Sequence, residues 1–155
     1  MNATTSKFYP KLLVTILRVA IGWHFIYEGL SKILQGNWTA SNYLLNTSGF
    51  LSGFYHALAS SPAILKITDL LNMYGLFLIG LALFIGLFSR LASICGALLL
   101  TLYYFAYPPF GNPLISAADG HIFIVDKLFI EATALLFLFF YPEKGFSIDS
   151  LIEFF

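Results

Sequence analysis

Residues 12–34 read LLVTILRVAIGWHFIYEGLSKIL, a run apolar enough to enter a bilayer that nevertheless carries Arg18, His24, Glu28 and Lys32. As a helix rising 1.5 Å per residue it is roughly 33 Å long, close to the thickness of a hydrocarbon core. At 100° per residue, Arg18, Gly22, Phe25, Gly29 and Lys32 fall on one stripe, with Glu28 on its flank and His24 one turn below Glu28. A charge left in lipid costs on the order of 3 kcal/mol, so this stripe is expected to face other helices or a wet cavity. Its glycines would let a neighbouring helix approach closely.

The rest of the chain has the same character. Of 155 residues, 59% are hydrophobic and 10% charged, with a mean hydropathy of +0.83, whereas a soluble domain is roughly 25% charged. This composition is that of a membrane protein whose main partner is the lipid bilayer. Basic and acidic residues number 8 each, and no basic run invites nucleic acid. The single cysteine, Cys95, excludes an intrachain disulfide framework and a C-x-x-C relay. No zinc motif, phosphate loop, dinucleotide fingerprint or nucleophile elbow occurs, so no metal site is expected. Lys7 and Lys11 precede the first apolar run, but Arg18 lies inside it and no small-x-small cleavage site follows, which predicts a retained span.

Four apolar segments predict helices at about 12–34, 62–88, 91–107 and 122–141, within a single domain over 1–155. The fold class is all-α: an integral membrane four-helix bundle, antiparallel, with short interfacial helices in the loop between helices 1 and 2. That loop, 39–61, mixes Tyr43, Phe50, Phe54, Tyr55 and His56 with Ser, Asn, Thr and Gly. Ser61-Pro62 starts the second span, in which Gly75, Ala82 and Gly86 share a stripe. Pro108, Pro109, Gly111 and Pro113 end the third. Lys7, Lys11, Arg90 and Lys144 lie on the side of the termini and Lys66 opposite, so the termini are expected to be cytoplasmic. Glu28, Lys32, Asp126, Lys127 and Glu131 then share the outer half of the bilayer.

Two readings of these charges stay open. Glu28–Lys32 and Lys127–Glu131 are both i,i+4 pairs, so each helix can neutralise its own charges and the pairs can serve packing alone; Asp126 points away from Glu131 on the wheel. Alternatively they form a polar pocket among helices, roofed by the aromatic loop, that binds a polar head or passes protons, as quinone chemistry requires. His24 reads first as a hydrogen-bonded structural histidine, and His121 is too far along to form a haem pair with it. The Phe-rich fourth span reads as lipid-facing bulk. Tyr103, Tyr104 and Tyr107 read as an interfacial aromatic belt.

The segment from Arg18 to Lys32, RVAIGWHFIYEGLSK, resembles the opening helix of the DoxX/DoxD family, with Arg18, Gly22, Gly29 and Lys32 on the family pattern. The second span, with Gly75, Gly80, Gly86 and then Arg90, is similar to the family's glycine-rich helix. VDKLFIE, from Val125 to Glu131, is similar to the polar start of its last one. The resemblance implies a four-helix protein of the bacterial inner membrane, related to the small subunit of thiosulfate:quinone oxidoreductase, that works beside a second protein subunit or as a homo-oligomer. In that setting Glu28, Lys32 and Glu131 are the candidate catalytic residues, and Arg18, His24 and Lys127 the candidate cofactor-binding residues, with quinone as the cofactor. A non-enzymatic membrane module that anchors or stabilises a partner is the alternative, and the missing cysteine pair argues against an autonomous thiol-to-quinone relay.

Overall fold

The computed structural model describes residues 3–48, 50–108, 124–141 and 146–149, with side chains from Phe8 onward. All its regular elements are helices: α1 (Ala3–Leu34), α2 (Ser41–Leu45), α3 (Ser52–Ser60), α4 (Pro62–Ile85), α5 (Ser89–Ala106) and α6 (Lys127–Phe140). Three of them, over Phe8–Leu34, Pro62–Ile85 and Ser89–Ala106, are long and apolar enough to cross a membrane. His121, the Pro109–Pro113 break, Lys144 and the tail from 150 lie outside the described residues.

α1 begins nine residues before the expected start at 12 and runs through Pro10. The end of an apolar window marks where lipid burial could end, which is a different boundary from where helical hydrogen bonding ends. The stripe on α1 is buried as expected: Arg18, Gly22, Phe25 and Gly29 all face inward. Leu13, Ile16, Trp23, Tyr27, Leu30 and Leu34 are exposed on the other side. A large apolar face of this kind suits lipid contact.

The glycines set the α1–α4 contact. A Cβ added at Gly22 would lie 2.7 Å from the Phe84 amide nitrogen, one at Gly29 2.5 Å from that of Phe77, and one at Gly80 2.5 Å from that of Ile26. Backbone therefore packs on backbone, and rising numbers on α1 meet falling numbers on α4. Of the expected Gly75–Ala82–Gly86 stripe, Gly75 faces open space while Gly86 lies against Arg18; the backbone contact itself is made by Gly80, with the buried Leu76 and Leu83 on either side. At its middle α4 widens into a π turn over Leu71–Gly75. It ends where Gly86 takes a left-handed φ of 74°, a conformation that costs glycine nothing.

α5 and α6 complete the core. Gly96 of α5 lies against Leu135 of α6, Ile79 of α4 and Phe25 of α1, and Phe25, Leu83 and Leu135 are among the most deeply buried side chains. The fourth segment starts later than expected. Asp126 is extended, at φ −120° and ψ 179°, and its side chain accepts from the Phe129 amide at 2.7 Å. It is the buried N-cap of α6 rather than a residue of the helix body, because an aspartate at this position satisfies an amide the first turn would leave orphaned. The 14 residues of α6 rise about 21 Å, less than a hydrocarbon core. Phe129, Phe137 and Phe140 are exposed on it, as expected of lipid-facing bulk.

α2 and α3, the expected short helices of the loop, form a roof over one end of the molecule. A small second core of Ala40, Leu44, Tyr55 and Ala106 fastens them to the end of α5. At the opposite end, residues 146–149 close onto α1 and the α4–α5 link.

Candidate functional site

Beneath the roof lies a cavity of about 490 Å³. Its floor is Phe25, Leu76, Leu99 and Leu100; its roof is Trp38, Tyr43, Leu44, Phe54, Tyr55 and Leu58. The polar lining is gathered from four helices: His24, Glu28 and Lys32 from α1, Thr68 and Asn72 from α4, Tyr103 from α5 and Lys127 from α6.

α1 delivers its three residues because 24, 28 and 32 are successive i,i+4 steps on one face. Lys32 Nζ lies 3.4 Å from Glu28 Oε2, 5.3 Å from the centre of the Trp38 ring and 5.9 Å from that of Tyr103. A carboxylate and two aromatic faces thus fix the ammonium in place of water. His24 Nδ1 is 2.8 Å from Glu131 Oε1 on α6, with the imidazole half-exposed and the carboxylate largely covered. This bond joins α1 to α6 through their charged faces. With the Nδ1 proton directed at the carboxylate, Nε2 of the neutral ring is left as an acceptor.

The expected Lys127–Glu131 pair does not form: Glu131 turns to His24, and Lys127 stands exposed at the first residue of α6 while still lining the cavity. Of the six candidate residues, the structure brings His24, Glu28, Lys32 and Lys127 to the cavity, with Glu131 behind His24. Arg18 is elsewhere. It lies ten residues before Glu28, about 15 Å along the helix, is 3% exposed, and donates from Nη2 to the Phe146 carbonyl at 2.7 Å. Among the described residues no three His, Cys, Asp or Glu side chains are placed to hold a metal.

Sequence reasoning missed the far wall. Tyr103 belongs to the cavity rather than to an interfacial belt: its hydroxyl donates to Asn72 Oδ1, and the Asn72 amide donates in turn to the Thr68 carbonyl at 3.0 Å. Asn72 lies in the π turn, and such turns are frequent at functional sites. A lone amide inside an apolar span was the available signal.

The roof is held by side chains on backbone. Tyr55 donates to the Leu102 carbonyl at 2.7 Å and Tyr43 to that of Tyr103 at 3.4 Å, each using a free lone pair of a carbonyl in the last turns of α5. Asp69 accepts from the Ala40 amide at 2.8 Å. Burial pushes the Tyr55 phenol above its ordinary pKa, so at neutral pH it remains the donor this strap needs.

Residues 13–107 match the family model described as DoxX. The matched stretch spans the body of α1 through α5 and ends before α6, so Lys127 and Glu131 fall beyond it. No curated protein and no solved structure matches the chain.

Proposed function

The chain belongs to the DoxX family and is a multi-pass membrane protein; from that premise we propose that it is the membrane subunit of a quinone-linked oxidoreductase, with the roofed cavity as its quinone site. The observation that carries this reading is one cavity that joins an aromatic, apolar lining to two fixed proton-bearing stations, Lys32–Glu28 and His24–Glu131. Its volume lies in the ~300–1,000 Å³ range usual for small-molecule sites. A quinone needs an apolar slot for its ring and tail and polar groups at its oxygens, and these residues fit that demand.

Bound there, a quinone would supply two-electron redox chemistry coupled to two protons. Trp38, Tyr43, Phe54 and the apolar floor exclude water from the ring. Lys32 supplies a hydrogen-bond donor whose position Glu28 and the two rings fix. His24 reaches both cavity and solvent, and Glu131 holds its tautomer, so the pair can take a proton from outside and present it at Nε2. Electrons come from a partner subunit. Arg18 has no part in this site; it is a structural cation at the other end.

In this proposal α1, α4, α5 and α6 form a four-helix antiparallel bundle in a bacterial inner membrane. The excess of Lys and Arg on the side of the termini keeps them cytoplasmic, which turns the cavity outward. In a Cys95→Ser background, a cysteine replacing Ser60 should react with an impermeant maleimide on intact cells and one replacing Ser6 should not; the opposite pattern inverts the topology.

The binding site is tested with detergent-purified protein carrying Trp23→Phe, so that emission reports Trp38. A short-chain benzoquinone should quench it saturably, and Lys32→Met should weaken the binding about tenfold, 1.4 kcal/mol. Quenching that rises linearly without saturation rejects the site.

A further inference from the structure

The hydrogen-bond chain on the wall opposite His24 has a direction. A backbone carbonyl can only accept, so the contact from Thr68 O to the Asn72 side chain, 3.0 Å long, must be made by the Asn72 amide nitrogen. That fixes which way the amide faces and leaves Oδ1 toward Tyr103. Oδ1 is again only an acceptor, so the hydrogen between the two residues belongs to the Tyr103 hydroxyl. Tyr103 has one such hydrogen and it is committed. Toward the cavity, which both residues line, the phenolic oxygen therefore offers lone pairs alone.

On the adjoining wall, Lys32 is a donor without acceptor capacity, held near the same ring. Tyr103 and Lys32 together present an acceptor beside a donor. A hydroxyl group answers both, donating to Tyr103 and accepting from Lys32, whereas a carbonyl oxygen answers Lys32 alone and leaves the lone pairs of the Tyr103 oxygen covered and without a donor. Sites built to pair with a substrate hydroxyl discriminate strongly against analogues that lack it.

We infer that the cavity prefers the hydroquinone to the quinone, with Tyr103, oriented by Asn72 and Thr68, as the residue that sets this preference. The inference rests on the cavity being a quinone site and adds which redox form it favours. The two forms differ by two electrons and two protons, and one of the hydrogens that reduction adds is the one Tyr103 accepts. A tenfold preference for the reduced form raises the potential of the bound couple by about 30 mV.

The test is isothermal titration of the full-length protein in detergent, under anaerobic conditions, with a decyl-substituted benzoquinone, its hydroquinone and the dimethyl ether of that hydroquinone. The hydroquinone should bind about tenfold more tightly than the quinone, and the ether, with the same ring and tail but no O–H, should bind no better than the quinone. Equal affinities for the two redox forms, or an ether that binds like the hydroquinone, overturn the inference while leaving the quinone site standing. Failure of all three to bind overturns both. These outcomes are read on the unaltered chain. Two variants then locate the effect: Tyr103→Phe should bring the ratio to about one by weakening the hydroquinone, and Asn72→Ala should free the Tyr103 hydrogen and strengthen the quinone. A preference that survives Tyr103→Phe assigns it to another residue and overturns the role given to Tyr103.

Discussion

Two cations sit on the same stripe of α1, Arg18 buried and Lys32 partly so, and the protein treats them in opposite ways. Arg18 is enclosed: the Phe146 carbonyl takes one of its nitrogens, and a Cβ at Gly86 would collide with its guanidinium. Residues around it are tied by backbone contacts, with Thr15 accepting from the Phe146 amide at 2.8 Å and Asp149 accepting from the Phe88 and Ser89 amides at 2.9 and 2.8 Å. Lys32, about four turns further along the same helix face, instead borders a hollow and is held by one carboxylate and two rings. A membrane protein can bury a charge to fasten segments together or to furnish a cavity; the surroundings decide which, and the residue type does not.

The comparison breaks first, and by the largest amount, at Arg18. Arg18→Ala leaves a hole and an unpaired carbonyl and should lower stability in detergent by about 3 kcal/mol, with Trp38 quenching by quinone, measured well below the melting point, changed by less than about twofold. A comparable loss of binding would join the two ends and end the distinction. Next comes Glu131→Gln, which keeps shape and hydrogen-bonding capacity but removes an ionisable group. Quinone turnover by the assembled complex should fall at least tenfold, about 1.4 kcal/mol of barrier, with melting little changed; full activity would make the cavity charges structural, like Arg18.

Smaller effects sharpen the picture. In a cycle of His24→Phe, Glu131→Leu and the double variant, the pair, half-exposed at its imidazole, should show a coupling of about 1 kcal/mol in melting, and additive losses would separate the two residues. Smallest is Tyr55→Phe, which removes one strap from the Leu102 carbonyl. It should cost roughly 0.5–1 kcal/mol and speed hydrogen exchange in the roof while exchange in the α1–α4 contact stays unchanged. Equal acceleration in both would mean that roof and core open as one unit.

How legible all this was depends on what each feature is made of. The buried stripe of α1 and its glycines were readable because a helix face is a property of one segment, and Gly22 and Gly29 announce a close neighbour before that neighbour is known. The partner face on α4 was not: Gly75 and Gly80 are both glycines, and only packing shows that Gly80 meets Ile26 while Gly75 meets nothing. Likewise the i,i+4 rule offers Lys127 to Glu131, yet says nothing about a histidine brought alongside from another helix. Asp126 was misplaced because the helix expected from about 122 begins at Lys127, which turns a residue of the helix body into its cap. Tyr103 was misread because an aromatic near the end of a span has the same signature whether it faces headgroups or a cavity. The site was thus half visible, through the charges of α1, and its far wall emerged only with the tertiary contacts.

The segment at 146–149 also orders events in time. Thr15 and Phe146 are 131 positions apart, and Asp149 completes the first turn of α5, whose own sequence supplies no side-chain cap. During synthesis α1, α4 and α5 all leave the ribosome before the residues that finish this end exist. The nascent bundle must therefore carry Arg18 and the open amides of Phe88 and Ser89 with temporary partners, water or the insertion machinery, until the last stretch arrives. Stability at this end is gained late, and a ribosome arrested before residue 146 would hold a chain in which α1, α4 and α5 are made and whose seam is still open.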